Sequence, residues 1–186
     1  MLQHPLELKH PKGSARLLHL SLPGSVLQVG DRFTDDVLFD LLYRPRHTSS
    51  GQTESSVPAS RQPILLYPQT DDVPSSHMRI ASALESAQVR LVVLDGTWRK
   101  SRRMLHEHPL LQSLPRLALD APPPSRYRIR HAYRPDQLST LEATCHALAQ
   151  LENDTEKFYP LLKAFDCFIE AQQNWLPGQG TLRSSL

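Results

Sequence analysis

The stretch LVVLDGTWRKSRRM, residues 91–104, is the part of this sequence on which the fold turns. Leu91, Val92, Val93 and Leu94 form an aliphatic, partly β-branched run of the kind buried in a parallel sheet. Gly96 permits a sharp turn and Thr97 is a helix N-cap residue type, so the segment predicts strand, tight turn and helix. That order puts Asp95 at the carboxyl end of a strand, the edge where open α/β sheets bind ligands, beside free helix amides and the indole of Trp98. Arg99, Lys100, Arg102 and Arg103 follow at once. One short segment thus offers a possible base, a stacking surface and contacts for a polyanion. On spacing alone it fits equally a carboxylate that only caps a helix with a solvated basic face.

Upstream of this segment, PILLYP (residues 63–68) reads as a buried strand ending in a proline turn. Residues 74–88 read as a helix with Ile80, Ala83, Leu84 and Ala87 on one face. Alternating strand and helix predicts a mostly parallel sheet with right-handed crossovers and helices on both faces. RLALD (116–120) is a further strand. Nearer the start, RLLHLSLP (16–23) alternates towards strand, with VLQVGDRF (26–33) as its neighbour. DDVLFDLLY (35–43), acidic at its beginning and apolar at helical spacing, predicts a short helix. Residues 44–63 are rich in Ser, Thr, Pro and Gln with almost no apolar content, so they are expected to form a mobile loop within a single domain spanning residues 1–186.

Residues 121–135 are too broken by proline for a helix. As an extended piece they set Arg126, Arg128 and Arg130 on one side and Tyr127 and Ile129 on the other. Two helices should close the chain. Leu138, Leu141, Cys145, Leu148 and Leu151 form the apolar stripe of the first, and Phe158, Leu161, Leu162, Phe165 and Phe168 that of the second. Ser139, Thr140 and Glu142 lie in the first turn of the former. There they can cap the helix or hold the two charged ends of a small zwitterion.

The chain's 186 residues suit one domain with a sizeable core, and 39% hydrophobic content with a mean hydropathy of −0.41 fits a globular protein in water. No apolar run approaches the ~20 residues of a membrane span. The N-terminus has no apolar signal region, which predicts a cytoplasmic protein. Cys145 and Cys167 are expected to be buried free thiols, with no disulfide and no metal site. The formal net charge of +2 conceals an uneven distribution. Between residues 99 and 134, nine Lys and Arg residues face only Glu107 and Asp120, a net +7, while the remaining 12 basic and 17 acidic residues give −5. Cationic charge gathered beside Asp95, most of it arginine, favours an anionic partner, and nucleic acid is the natural candidate.

DGTW at residues 95–98, the basic run after it, RYRIRHAYRPDQLSTLEA at 126–143 and HPLELKHPKGSARLL at 4–18 together resemble the DTW-domain proteins. The resemblance covers most of the chain outside residues 44–63. It implies an α/β sheet with a C-terminal trefoil knot, like that of the SPOUT methyltransferases. It also implies an enzyme that transfers the 3-amino-3-carboxypropyl group of S-adenosylmethionine to N3 of a uridine in tRNA, leaving methylthioadenosine. On the same basis Asp95 is the candidate general base. Leu66, Tyr67, Pro68, Gly96, Thr97, Trp98, Ser139, Thr140 and Glu142 would hold S-adenosylmethionine, the co-substrate. Arg99, Lys100, Arg102, Arg103, Arg126, Arg128 and Arg130 would contact tRNA.

Many relatives carry an N-terminal cysteine cluster that this chain lacks, so no metal is expected. Gly13, Ser14 and Ala15 stand where some relatives have Asn-Thr-Gly, whereas Glu7 and Arg16 match. Neither a membrane nor a stable protein partner is expected. A methyltransferase on the same scaffold and a non-catalytic RNA-binding module are the alternatives.

Overall fold

The computed structural model describes residues 1–8, 13–45, 61–68, 86–119 and 138–174. The aliphatic run before Asp95 forms strand β4, Val89–Asp95, at the centre of a sheet whose other described strands are β1 (Leu2–Gln3), β2 (Gln28–Val29), β3 (Gln62–Leu66) and β5 (Arg116–Leu117). Their order is β2-β1-β4-β3-β5, and every neighbouring pair is parallel. The helices are α1 (Ser14–Ser21), α2 (Asp35–Tyr43), α3 (Trp98–Glu107), α4 (Pro109–Gln112), α5 (Thr140–Glu152) and α6 (Tyr159–Asn174). Among the described residues, no helix is long and apolar enough to cross a membrane.

Helices cover both faces, as the alternating pattern predicts. On one face Leu2, Leu65, Tyr67, Val92 and Leu94 pack with Leu38 and Leu42 of α2, Met104 and Leu105 of α3, and Leu111 of α4. On the other, Ile64, Val89 and Leu117 pack with Ala147 of α5. A further cluster joins Leu18 of α1, Leu141 and Cys145 of α5, and Phe158, Phe165 and Ile169 at α6. The two C-terminal stripes are therefore core. Arg90, on the α2 side of β4, donates to the carbonyls of Leu41 (3.1 Å), Leu42 (2.7 Å) and Arg44 (3.0 Å), satisfying the orphan acceptors at the end of α2.

Several expectations need correction. Residues 16–23 are not a strand: most of them belong to α1. Leu17, Leu18, Leu20 and Leu22 satisfy both periods within so short a window, and the docking of fully buried Ala15 and Leu18 beneath α5 decides for helix. The strand within residues 26–33 shrinks to β2, which pairs with β1 rather than with residues 16–23. Strand β1 was not anticipated. Two residues carry no periodicity, and it exists because it completes the hydrogen bonding beside β4.

Gln62 and Pro63, the last two residues of the proposed 44–63 loop, belong to β3. The strand at 116–120 is reduced to β5. Cys167 is exposed, not buried. It lies two positions after Phe165, about 200° round the helix, and so on the outer face of α6. Of the helix proposed for 74–88, only the 3-10 turn Ser86–Gln88 lies within the described residues. Residues 46–60 and the arginines of 121–135 lie outside them.

Candidate functional site

Asp95 ends β4, one residue beyond Leu94. Side chains alternate along a strand, so its carboxylate faces α5 while Leu94 faces α3. It is 5% exposed. Parallel pairing sets Gln3 in register with Asp95, and the Gln3 side-chain amide donates to Oδ2 at 2.9 Å. Thr140, the first residue of α5, donates its hydroxyl to Oδ1 at 2.6 Å. The main chain is tied as well: the His4 amide donates to the Asp95 carbonyl at 2.9 Å. Among the described residues, each carboxylate oxygen therefore accepts one side-chain bond, each from a different element, which leaves a further lone pair.

The first turn of α5 explains why Thr140 is available. Ser139 is the N-cap; its hydroxyl accepts the Glu142 amide at 3.2 Å, and Glu142 Oε2 accepts the Ser139 amide at 2.8 Å. Ser139 and Glu142 thus form a capping box. Of the three polar residues singled out there, it is Thr140 that turns to Asp95.

A second cluster lies at the same carboxyl edge on the opposite face. Tyr67, just beyond β3, stacks with Trp98, with ring centres 5.2 Å apart and planes 17° apart. Trp98 is 45% exposed, so its indole is neither core nor fully in solvent. The Arg116 guanidinium lies 5.3 Å from the Tyr67 ring centre. Burial pushes the Tyr67 phenol up, against the opposing pull of Arg116 and then Arg102. Strand parity accounts for this placement. Leu65 is in register with Arg116 and shares its face with Tyr67, whereas Leu66 turns towards Ile64 and Ala147.

The residues expected around a ligand are thus divided by the sheet. Asp95, Thr140 and Leu66 lie on the α5 face, and Tyr67 and Trp98 on the α3 face. Gly96 joins them, but not through a left-handed backbone: among the described glycines only Gly24 has positive φ. Gly96 instead lets neighbouring chains approach, since a Cβ there would lie 3.2 Å from the Lys100 Cβ and 3.6 Å from that of His4. Thr97 occupies the N-cap position of α3 without a side-chain capping bond, and Pro68 is exposed.

The basic residues of α3 divide too. Arg99 and Arg102 are exposed. Lys100 pairs with buried Glu7 at 3.0 Å, tying the N-terminal segment to α3, and Arg103 pairs with Glu107 at 2.7 Å. Gln3 and Arg116 escaped the reading of the sequence. Gln3 carries no motif of its own, and its role follows only from strand register. In the sequence, Arg116 is one more cation in a basic region.

A family model described as the DTW domain matches residues 1–173. The chain is similar to a tRNA-uridine aminocarboxypropyltransferase 2 of Drosophila melanogaster, with 33% identity over 174 residues covering 92% of this chain. It spans 63% of the length of that curated relative. No solved structure matches. The Asp-Gly-Thr-Trp turn, the helix start that clamps its aspartate and a match running through nearly all the described residues agree: the chain belongs to the DTW-domain family.

Proposed function

We propose that the protein is a tRNA-uridine aminocarboxypropyltransferase that moves the 3-amino-3-carboxypropyl group of S-adenosylmethionine to N3 of a uridine. The observation that carries this reading is the clamp on Asp95, at the carboxyl edge of a parallel sheet, in a chain similar to a protein named for that activity. Gly96 and Thr140 border Asp95, and Leu66 lies on the same face of the sheet; they suit S-adenosylmethionine chemically, as a turn with no side chain, a hydroxyl and an apolar wall. Ser139 and Glu142 belong to the same helix start, and Tyr67, Pro68, Thr97 and Trp98 extend the proposed contacts to the other face. S-adenosylmethionine supplies a sulfonium-activated carbon.

The protein's own part is orientation and proton transfer. Uracil N3 bears a proton that must leave as the nitrogen attacks. Asp95 retains a lone pair on each oxygen for that proton, and the bonds from Gln3 and Thr140 fix the carboxylate's direction. Because several carbons of a sulfonium are open to attack, alignment of N3 with the bond to be broken determines the product. Arg99, Lys100, Arg102 and Arg103, with Arg126, Arg128 and Arg130, would hold phosphates and so set affinity and position. A SPOUT-like C-terminal knot belongs to the same proposal.

The test is to incubate purified protein with tRNA and S-adenosylmethionine, then analyse nucleosides and small products by mass spectrometry. Aminocarboxypropyluridine with methylthioadenosine is expected. S-adenosylhomocysteine with a methylated base would replace this reading by a methyltransferase, and RNA binding with no product would leave a binding module.

A further inference from the structure

Away from Asp95, the group least accounted for is the Arg116 side chain. It is 2% exposed, and among the described residues neither Nη1 nor Nη2 has a hydrogen-bond partner. The Tyr67 hydroxyl, buried alongside, makes no bond of ordinary hydrogen-bond geometry among the described residues, although the Ser101 side chain lies near enough to pull its pKa down. A guanidinium cannot lose its proton to escape burial, and its position over the Tyr67 ring satisfies none of its N–H donors. Buried charges are ordinarily paired, because an unpaired one forfeits its hydration without compensation. The place is also close to solvent: the layer over Tyr67 is the half-exposed indole of Trp98. Arg102, one turn along α3 from Trp98, adds positive charge nearby.

We infer that Arg116 and the Tyr67 hydroxyl form a receptor for an oxyanion, entered past the Trp98 indole. The planar guanidinium suits a carboxylate or a phosphate, which it grips with two parallel bonds. The receptor itself stands independently of the proposed transferase activity; only the identity of the oxyanion's owner rests on that reading. Two sources then share the chemistry, an RNA phosphate and the methionine carboxylate of the co-substrate. Since the receptor lies on the α3 face and Asp95 faces α5, it holds a part of the ligand that does not react.

The experiment uses the full chain with Trp175→Phe, which leaves Trp98 as the sole tryptophan. Its fluorescence is followed while titrating a short oligouridylate, S-adenosylhomocysteine and methylthioadenosine, the last carrying neither carboxylate nor phosphate. Arg116→Gln is expected to weaken one oxyanion-bearing ligand about tenfold or more, as for loss of a charge-assisted bond, and to leave methylthioadenosine unchanged. If the phosphate is the source, the slope of log affinity against log salt should also shrink by about 0.7 for oligouridylate. If the carboxylate is the source, S-adenosylhomocysteine should fall towards the affinity of methylthioadenosine.

Tyr67→Phe removes one hydroxyl while keeping the ring. It should weaken the same ligand by a smaller factor, and it carries the test should Arg116→Gln fail to fold. Unchanged affinities in both variants, equal loss for methylthioadenosine, or no binding of either oxyanion by the parent chain would overturn the receptor. Oxyanion binding that depends on Arg116, without transfer product, would overturn the proposed activity alone. Transfer product with unchanged affinities would overturn the receptor alone.

Discussion

Asp95 is held from two sides, and the two holds differ in what they should do to turnover. Thr140→Val removes the bond at 2.6 Å, and a bond to a charged group is worth about 1.5–3 kcal/mol, so kcat should drop about 10- to 100-fold while Thr140→Ser retains most of it. Steady-state kinetics on tRNA check this; equal rates for the valine and parent proteins would refute the clamp's importance. Asp95→Asn should lower kcat by about 100-fold or more while leaving RNA affinity intact, measured by filter binding beside the transfer assay. Cys145 offers a readout independent of activity. Burial, with the Glu142 carboxylate adding, pushes its thiol up to about 12. An unfolded thiol ionises near ~8.5, so the native state keeps a proton that the unfolded chain releases. This contribution to stability is complete below that pH and declines as pH rises towards the native value. Thiol titration of the folded protein at neutral pH should label exposed Cys167 and leave Cys145 until denaturant is added.

At the level of elements, the start of α5 joins a helix cap to the hydroxyl that clamps Asp95. Ser139→Ala breaks the capping box and should cost about 1 kcal/mol in a urea melt. Because Thr140 is the next residue, transfer should weaken in the same variant, which a cap with no functional role would not produce. The basic helix α3 presents Arg99, Arg102 and Arg103 to solvent, with Arg103 paired to Glu107 and the less exposed Lys100 paired to Glu7. Arg99→Ala with Arg102→Ala should therefore weaken RNA binding at low salt and flatten its salt dependence by about 0.7 per lost phosphate contact. Arg103→Ala should have the smaller effect, and fluorescence anisotropy across a salt series would separate the two.

At the scale of the molecule, the site is assembled from chain segments far apart in sequence: β1, the end of β4 and the start of α5. The N-terminal segment is pinned by its parallel pairing with β4 and by the Glu7–Lys100 ion pair. Lys100→Met leaves a buried carboxylate without that partner and should cost more than the ~0–1 kcal/mol of an ordinary surface pair, read from the denaturation midpoint against Arg103→Met. By itself, the sequence determined the strand and turn at Asp95, helix α2, the core stripes of α5 and α6, and the family, because local periodicity and short motifs carry all of these. It left residues 16–23 ambiguous, since a handful of leucines satisfies either period until a partner surface selects one. Gln3 beside Asp95, Arg116 beneath Tyr67 and the division between two faces of the residues proposed to hold a ligand were decided only by the tertiary structure. Each follows from the register and side-chain alternation of parallel strands, which bring together residues whose separation along the chain leaves no local trace.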